Sequence, residues 1–287
     1  MVKQLVVRFV AVLLMLGAGV QSPVEAQTKD IERTGGPYVP TPQVVVDQML
    51  RFGRVNQADY VMDLGSGDGV IVITAARELK AVGMGLEIDP ELVARANNTA
   101  KKLGVNDRAT FQAQDVFKAD LSKATVVTLY LLPGMMMNLR NKIYDELRPG
   151  ARVVSHDYHF GDWVADDRYT FDVPEKEFIN GVPRATIYLW TIPAKVSGTW
   201  NIKVDGLSQQ YTAELSQNFH LTNGTLSNAR GLGISDVAVK GEAITFSIWN
   251  GSVRHHYRGQ VNGNAMSGMV NLDGREAKWQ ALRVVSK

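Results

Sequence analysis

Between about Pro37 and Pro193 the chain alternates short apolar runs with longer stretches whose apolar residues recur at helical spacing. This alternation is typical of a parallel α/β sheet covered by helices. The predicted strands are Tyr60–Leu64, Gly83–Ile88, Ala109–Gln112, Thr125–Tyr130, Ala151–Ser155, Tyr169–Val173 and Ala185–Thr191. The predicted helices between them are Val70–Leu79, Glu91–Leu103 and Met135–Leu147. No helix is predicted between the last two strands, and an Asn180-Gly181 turn there predicts an antiparallel hairpin at the sheet edge.

After Pro193 helical spacing disappears and short alternating segments follow one another. The predicted strands are Thr199–Val204, Tyr211–Leu215, Ile244–Trp249, Tyr257–Val261 and Trp279–Val284. The predicted two-residue turns are Asp205-Gly206, Asn223-Gly224, Asn250-Gly251, Asn262-Gly263 and Asp273-Gly274. This pattern predicts a small all-β antiparallel domain over 195–287, either a barrel or a sandwich. Trp200, Trp249 and Trp279 are expected in its core, with an aromatic ligand pocket as the alternative. Gly198-Thr199-Trp200 and Arg283 resemble the opening and closing residues of lipocalin-like barrels, in which the tryptophan packs under the arginine.

The first 26 residues predict a secretory signal peptide. Lys3 and Arg8 precede or border an uncharged apolar stretch, and a small-x-small cleavage site ends at Ala26. The apolar stretch, Phe9 to Val20, is shorter than the roughly 20 residues needed to span a bilayer. We therefore expect cleavage after Ala26 and an exported protein, periplasmic or secreted. An uncleaved membrane anchor is the alternative.

Composition removes several classes of function. The 287 residues are 45% hydrophobic and 21% charged, which is ordinary for a globular protein. No cysteine is present, so disulfides, thiolate metal sites and a cysteine nucleophile are excluded. The formal net charge is +2 without a basic block, and no nucleic-acid partner is expected. His156, Asp157, His159 and Asp162 lie at a strand-to-loop junction, where hydrogen bonding is the expected use and no metal is predicted.

A glycine loop, Gly65-Ser66-Gly67-Asp68-Gly69, follows the first predicted strand and opens a helix. Glycines let backbone N–H groups approach a ligand closely, and a helix N-terminus adds positive potential. Glu87 ends the second strand, where a carboxylate can accept hydrogen bonds from ribose hydroxyls, and Asp115 follows the third. The carboxyl ends of parallel strands form the ligand-binding edge of such sheets. Asp68 within the loop is unfavourable for a pyrophosphate, so a dinucleotide is disfavoured.

These residues, with Asp63 before the loop, resemble class I S-adenosylmethionine-dependent methyltransferases over roughly residues 37–193. The resemblance implies a Rossmann-like, doubly wound seven-stranded sheet and S-adenosylmethionine as cofactor for a domain spanning 27–193. It also implies individual roles: Gly65 and Gly67 cradle the methionine moiety, Asp63 lies beside its amino group, Glu87 holds the ribose, Asp115 meets the adenine edge, and Ile88 and Val116 lie against the ring. Ser66, between the two glycines, is a further cofactor-binding residue.

Three further blocks resemble a bacterial branch related to small protein-lysine methyltransferases: Tyr38-Val39-Pro40-Thr41-Pro42, the Asp63 to Gly69 loop, and Tyr130-Leu131-Leu132-Pro133. The resemblance implies that Tyr38 and Thr41 close over the cofactor. It also implies that Tyr130 to Pro133 line the acceptor channel. Tyr130, Asp157 and His156 are the candidate catalytic residues, the last two as groups that accept a proton or position an amine.

The resulting hypothesis is an S-adenosylmethionine-dependent methyltransferase whose acceptor is a protein lysine or another amine. The alternative is an exported, non-catalytic binding protein that uses the methyltransferase fold as a scaffold and the β domain for a ligand or partner. Export conflicts with the first hypothesis, because S-adenosylmethionine is made in the cytosol and its charges oppose passage through a membrane.

Overall fold

The computed structural model describes residues 36–227 and 231–284; the predicted signal peptide, residues 1–26, lies outside the described residues. The described residues belong to a single compact unit that contains two sheets. The helices of the first part are α1 (Gln43–Phe52), α2 (Val70–Leu79), α3 (Pro90–Lys102), α4 (Pro133–Glu146) and α5 (Glu175–Asn180). Its strands are β1 (Tyr60–Leu64), β2 (Val82–Glu87), β3 (Ala109–Ala113), β4 (Val126–Leu129), β5 (Arg152–His156), β6 (Asp167–Asp172) and β7 (Arg184–Thr191).

The first sheet has seven strands in the order β3-β2-β1-β4-β5-β7-β6, and β7 runs antiparallel to both of its neighbours. The predicted doubly wound fold with an antiparallel edge pair is therefore confirmed. The edge pair differs in one detail. A short helix, α5, lies between β6 and β7, and Gly181 ends it in the left-handed conformation (φ +76°) instead of forming a hairpin turn with Asn180. Six residues are too few to establish helical spacing in a sequence.

The second sheet consists of eight antiparallel strands, each paired with a neighbour in sequence, and β15 closes back on β8. The strands are β8 (Gly198–Val204), β9 (Gln210–Asn218), β10 (Leu221–Ser227), β11 (Leu232–Lys240), β12 (Ala243–Asn250), β13 (Val253–Asn262), β14 (Ala265–Leu272) and β15 (Arg275–Arg283). Between the two ends of this order, a Cβ on Gly224 of β10 would lie 3.0 Å from Ile234 of β11. The predicted all-β part is therefore a nearly closed, barrel-like sheet.

The interior of the barrel-like sheet is filled with side chains, including Trp200, Phe246, Tyr257 and Trp279. The guanidinium of Arg283 lies 4.3 Å from the centre of the Trp200 ring, the packing that the lipocalin resemblance predicts. Trp249 is not in this core: it is 37% exposed and its indole N–H donates to Ser235. The prediction of Trp249 as a core residue is wrong because its position in β12 places it on the opposite face from Phe246.

Four of the five predicted turns in this part fall where one strand ends and the next begins, with Asn250 and Asn262 as the last residues of β12 and β13, but Asn223-Gly224 does not. These two residues lie inside β10, and the chain reverses instead at Phe219-His220. Gly224 is required for packing, because a Cβ there would lie 2.8 Å from Leu215. A close approach between strands and a hairpin turn both select glycine, so the sequence signal is the same.

The turn at Phe219 packs against the first part of the molecule. Its ring lies 4.8 Å from Trp163, stacked, and 5.1 Å from Tyr144, edge-on, while the Arg140 guanidinium lies 4.8 Å from its centre. Phe219 thus belongs to the core cluster of the α/β sheet although it comes from the barrel-like sheet. Within the described ranges, no helix combines the length and the hydrophobicity needed to cross a bilayer.

Candidate active site

A cavity of about 230 Å³ opens at the carboxyl ends of β1, β2 and β4. The loops that follow these strands and β3 supply most of its wall. The segment before α1, the first turns of α2, α3 and α4, the segment after β5 and the end of α5 supply the rest. All ten predicted cofactor-binding residues line it: Tyr38, Thr41, Asp63, Gly65, Ser66, Gly67, Glu87, Ile88, Asp115 and Val116. Residues spread over 79 positions of sequence therefore share one wall because parallel strands bring their carboxyl ends together.

The glycine loop has the geometry that its sequence predicts. Gly65, Gly67 and Gly69 all have positive φ, at 78°, 53° and 85°, and Gly69 precedes the first residue of α2. A Cβ on Gly67 would lie 2.6 Å from the Tyr38 ring, so only glycine fits the space beneath that ring. The backbone N–H of Gly67 donates to Glu87 Oε2 at 2.8 Å. The loop is thus held open toward the cavity by contacts from both sides.

Glu87 has a structural use beside its predicted ligand role. Its Oε1 accepts from the backbone N–H groups of Ile88 and Asp89 at 2.8 and 3.1 Å, while Oε2 accepts from Gly67. A carboxylate has about four acceptor positions, so capacity for a further donor is left on the cavity side. Asp115 is anchored similarly, because its Oδ1 accepts from the Phe117 N–H at 2.9 Å.

Asp63 is the most strongly perturbed acid in the cavity wall. It is buried at the end of β1, and Thr128 of β4 donates to its Oδ1 at 2.7 Å. Burial raises the pKa of the Asp63 carboxyl to about 7; the hydrogen bond from Thr128 opposes this shift, and the charges of Glu87 and Asp68 add to it. A buried carboxyl of this kind gains from a cationic ligand, since the opposite charge favours its ionised form.

Tyr38 and Arg95 form the outer side of the cavity. Arg95 donates to the Tyr38 hydroxyl at 3.2 Å, and its guanidinium lies 5.4 Å from the centre of the tyrosine ring. Burial, with a contribution from the charge of Asp68, raises the pKa of Tyr38 to about 12, so the hydroxyl stays neutral. The segment before α1 is thus fixed above the glycine loop.

Aromatic and apolar side chains form the other end of the cavity. Tyr130, Leu131, Leu132 and Met135 follow β4, as the resemblance predicts for an acceptor channel, whereas Pro133 is not part of the wall. Tyr158 and Asn180 also line this end of the cavity, although the sequence does not identify them as site residues. The rings of Tyr130 and Tyr158 stack with centres 6.2 Å apart, and the Asn180 amide donates to the Tyr130 hydroxyl at 3.4 Å. The one sequence feature that indicates Tyr158 as a lining residue is its position just beyond the carboxyl end of β5.

His156 and Asp157 do not lie on the cavity wall. Both contact Lys176 of α5, a buried lysine whose Nζ lies 3.2 Å from His156 Nε2, donates to Asp157 Oδ2, and donates to the Arg184 carbonyl at 2.7 Å. Burial lowers the pKa of His156 to about 4, so its ring is neutral. The ring packs behind Tyr130, with centres 4.0 Å apart. The prediction that these two side chains meet the acceptor directly is therefore replaced by a supporting position behind Tyr130.

The four residues considered as a metal cluster do not come together: His156 and Asp157 contact Lys176, whereas His159 and Asp162 have other partners. Asp162 pairs with Arg140, and the His159 ring lies 5.6 Å from that of Tyr188, edge-on. The described part of the chain contains no group of three histidine or acidic side chains that could hold a metal ion.

Comparison with known proteins gives a family and several relatives. The family model described as the ANTKMT methyltransferase domain matches residues 63–167. Over 159 residues the chain is 44% identical to a protein-lysine N-methyltransferase from Saccharolobus islandicus, a match that covers 54% of this chain and 93% of that protein. It is 33% identical over 127 residues to an adenine nucleotide translocase lysine N-methyltransferase from Mus musculus, covering 44% of this chain and 55% of that protein.

A solved structure is also similar. It is described as an RNA methyltransferase from Salinibacter ruber in complex with S-adenosyl-L-homocysteine. It shares 48% identity at a TM-score of 0.49, covering 55% of this chain and 96% of that one.

The strand order, the glycine loop and the acids at the strand ends define a class I S-adenosylmethionine-dependent methyltransferase. The chain belongs to the family of the Saccharolobus islandicus enzyme, since almost the whole of that protein is matched at 44% identity. It is thus a methyltransferase that uses S-adenosylmethionine, and the non-catalytic alternative has no support. Because that relative accounts for 54% of this chain, the rest of the chain has no counterpart in it.

The residues of the cavity fit S-adenosylmethionine. Ser66 Oγ is buried in the wall without a hydrogen-bond partner among the described residues, so a polar ligand group would satisfy it. The acids Asp63, Glu87 and Asp115 suit a cation with ribose and amino groups. Ile88 and Val116 provide apolar contacts for a flat ring. These residues would hold the cofactor, and the aromatic end of the cavity is left for the acceptor.

Proposed function

We propose that the protein transfers the methyl group of S-adenosylmethionine to the side-chain amine of a lysine in a protein acceptor. The observation that carries this proposal is the match to the Saccharolobus islandicus protein-lysine N-methyltransferase along 93% of its length. The Mus musculus relative, which is also named as a lysine N-methyltransferase, adds to it, although this chain spans little more than half of that protein.

The aromatic end of the cavity supports an amine acceptor. A lysine amine has an unperturbed pKa near ~10.4 and must lose its proton before it can attack. The apolar walls made by Leu131 and Met135 disfavour the charged form, which lowers the pKa of an amine that enters. After transfer the nitrogen carries charge until it loses a proton, and the faces of the tyrosine rings stabilise a cation.

The chemistry requires orientation more than a dedicated catalytic group. When bound, S-adenosylmethionine supplies a methyl carbon on a positively charged sulfur. The nitrogen lone pair forms the N–C bond while the C–S bond breaks and its electron pair stays on sulfur. The new ammonium then releases a proton to solvent. The protein's part is to hold the amine in line with the C–S bond and to exclude water.

Tyr130 is the residue best placed to orient the amine. Its ring rests on the neutral ring of His156, and Asn180 holds its hydroxyl from the solvent side. Burial and the charge of Asp157 raise the pKa of the Tyr130 hydroxyl, which therefore remains a neutral group able to accept or donate one hydrogen bond. In this account His156 and Asp157 act through Tyr130.

The test is transfer from S-adenosylmethionine to a capped peptide, Gly-Gly-Lys-Gly-Gly, by the chain without residues 1–26. Mass spectrometry should show gains of a methyl group, and the same peptide with arginine in place of lysine is the control. Glu87→Ala should weaken cofactor binding about 10- to 150-fold, since a charge-assisted hydrogen bond contributes about 1.5–3 kcal/mol. Cofactor binding without methylation of the lysine peptide would point to another acceptor.

We propose that the mature chain begins at Gln27 and acts outside the cytoplasm. The charged start, the apolar stretch and the small residues before Gln27 support this proposal. Fractionation of cells that express the full chain, with mass determination of the N-terminus, tests it. Recovery of the uncleaved chain in the membrane fraction would favour an anchor, and recovery of full-length chain in the cytosol would remove the conflict with cofactor supply.

A further inference from the structure

The helix α5, inserted between the two edge strands, has an anchored side and an unpartnered side. Lys176, 1% exposed, fixes the helix to β5 and β7 through Asp157 and the Arg184 carbonyl. Phe178, two residues on, is 92% exposed. A single exposed apolar side chain is common on protein surfaces. Here, however, the helix is anchored by Lys176, and the exposed Phe178 ring contributes little to that anchoring. The packing of the fold therefore does not explain why a phenylalanine stands at this position.

The helix that carries the exposed ring reaches the cavity at its last residue, Asn180. Asn180 of the same helix lines the cavity and donates to Tyr130, so the end of α5 forms part of the mouth. Leu132 lines the cavity from the β4 side and is 44% exposed. Ile179 and Val182, on either side of Asn180, are exposed as well. We call Leu132, Phe178, Ile179 and Val182 the mouth patch.

The exposed charges of α5 beside the mouth patch are negative, and Arg184, two residues from Val182, is paired with Asp172. Glu175 and Glu177 are exposed on α5, and among the described residues neither forms an ion pair. The cation of the same helix, Lys176, points inward and is neutralised by Asp157. An apolar patch beside uncompensated carboxylates is complementary to a segment that carries both apolar and basic side chains. It is not complementary to an acidic segment.

We propose that the mouth patch docks the protein acceptor, and that the segment it recognises carries an apolar side chain next to the target lysine. The proposal deepens the proposed function and rests on it. Phe178 is the anchor of this contact, since aromatic residues carry a large share of the binding energy at protein interfaces. The carboxylates of Glu175 and Glu177 attract the basic segment, and the apolar neighbour of the lysine covers Phe178 while the amine enters between Tyr130 and Leu132.

The experiment compares methylation of two capped peptides, Gly-Gly-Lys-Gly-Gly and Gly-Leu-Lys-Leu-Gly, by the chain without residues 1–26. The variants are Phe178→Ser and the control Leu282→Ser, a residue 64% exposed on β15. In the unchanged chain, kcat/KM should be about five- to tenfold higher for the leucine peptide, the effect of burying part of one large apolar side chain. Phe178→Ser should bring this ratio near one, and Leu282→Ser should retain it.

Each outcome has a separate meaning. A ratio near one in the unchanged chain, or a ratio that Phe178→Ser leaves intact, overturns the docking proposal while methylation of lysine stands. If neither peptide is methylated although a titration shows that the chain binds S-adenosylmethionine, the proposed function is overturned, and this inference is overturned with it. Sedimentation of the unchanged chain and of Phe178→Ser is the second measurement. A dimer that Phe178→Ser dissociates would assign the patch to self-association and overturn acceptor docking.

Discussion

Asp63 shows how one buried carboxyl is adjusted to a cationic ligand. With a pKa of about 7, it is largely neutral in mildly acidic solution when nothing cationic is near. If the ionised form is the one that binds the amino group of S-adenosylmethionine, the affinity depends on the ionised fraction. The carboxyl with the strongly raised pKa in this site is thus Asp63, before the glycine loop, and it faces the cofactor end of the cavity instead of the acceptor end.

Cofactor affinity should therefore rise with pH. Between pH 5.5 and 7 the ionised fraction of Asp63 increases, and the affinity for S-adenosylmethionine should rise about tenfold, before the cofactor's own amine begins to lose its proton near ~7.7–8.0. Calorimetric titration across this range measures it. Asp63→Asn should bind more weakly with a flat profile, and an equal slope in that variant would exclude Asp63 as the cause.

Titration of Asp63 should change the stability of the fold in the opposite direction, so that the free energy of unfolding falls as pH rises. The folded-state pKa lies above the ordinary carboxyl value near ~3.9, so between about pH 4 and 7 the folded protein binds more protons than the unfolded one. This contribution to stability is fully present below about pH 4 and declines as pH rises toward 7.

Lys176 is expected to be a major determinant of stability. Lys176→Met leaves the Asp157 carboxylate without its cation and should lower the free energy of unfolding by about 3 kcal/mol, since breaking a buried pair is costly. Denaturant titration gives the value. The control is Lys195→Met, which removes an exposed pair with Asp145 and should cost at most about 1 kcal/mol. Equal effects in both variants would show that the Lys176 pair is not specially stabilising.

At the level of elements, the loop between β1 and α2 depends on backbone conformation more than on side chains. Its three glycines have positive φ, and each lies against a large side chain: Gly65 against Leu131, Gly67 against Tyr38 and Gly69 against Phe111. The short helix α5 works differently, since one inward lysine fixes it and its outward residues remain free for a partner. Both elements shape the cavity from opposite ends.

Gly67→Ala should abolish most of the cofactor binding while the chain still folds. The added Cβ would lie 2.6 Å from the Tyr38 ring, and the residue would keep a φ near +53° that costs about 1–2 kcal/mol for alanine. At least about a tenfold loss of affinity is expected, equal to 1.4 kcal/mol. The matched variant Gly134→Ala, in α4 with open space around it, should bind normally and gain about 0.5–1 kcal/mol of stability. Normal binding by Gly67→Ala would contradict the packing of Tyr38 on the loop.

For the whole molecule, the packing of Phe219 joins the two sheets. The barrel-like sheet is an addition to a family fold that exists without it, yet its turn at Phe219 inserts an aromatic ring between Tyr144 and Trp163. A chain that ends at residue 193 should therefore still bind S-adenosylmethionine and unfold at a lower temperature, because the surface around Trp163 is then exposed.

Phe219→Ala isolates that contact in the full chain. Removing a buried phenylalanine ring should destabilise the α/β sheet by about 3 kcal/mol. In calorimetry, the transition in which the α/β sheet unfolds should therefore move to a lower temperature than in the parent chain. A variant with the parent's thermogram would indicate that the sheets unfold independently and that the contact contributes no stability.

The sequence by itself determined the alternation of strands and helices, the glycine loop and the acids at the strand ends. These features are local: strand periodicity, turn chemistry and position at a strand end can be read within a few residues. Tyr130 is instead assigned to the acceptor channel through the family resemblance. Strand ranges agree with the structure within about two residues over most of the α/β sheet, since periodicity defines the middle of an element better than its ends.

Only the tertiary structure decided the rest. The sequence places His156 and Asp157 at the end of β5, but their contact with Lys176 links residues on different elements, and it turns them away from the cavity. Gly224 carries a turn signal and is used for close packing between strands. Phe219 lies in the α/β core although its neighbours in sequence belong to the barrel-like sheet. In each case the outcome depends on a neighbour distant in sequence, and a local pattern contains no information about that neighbour.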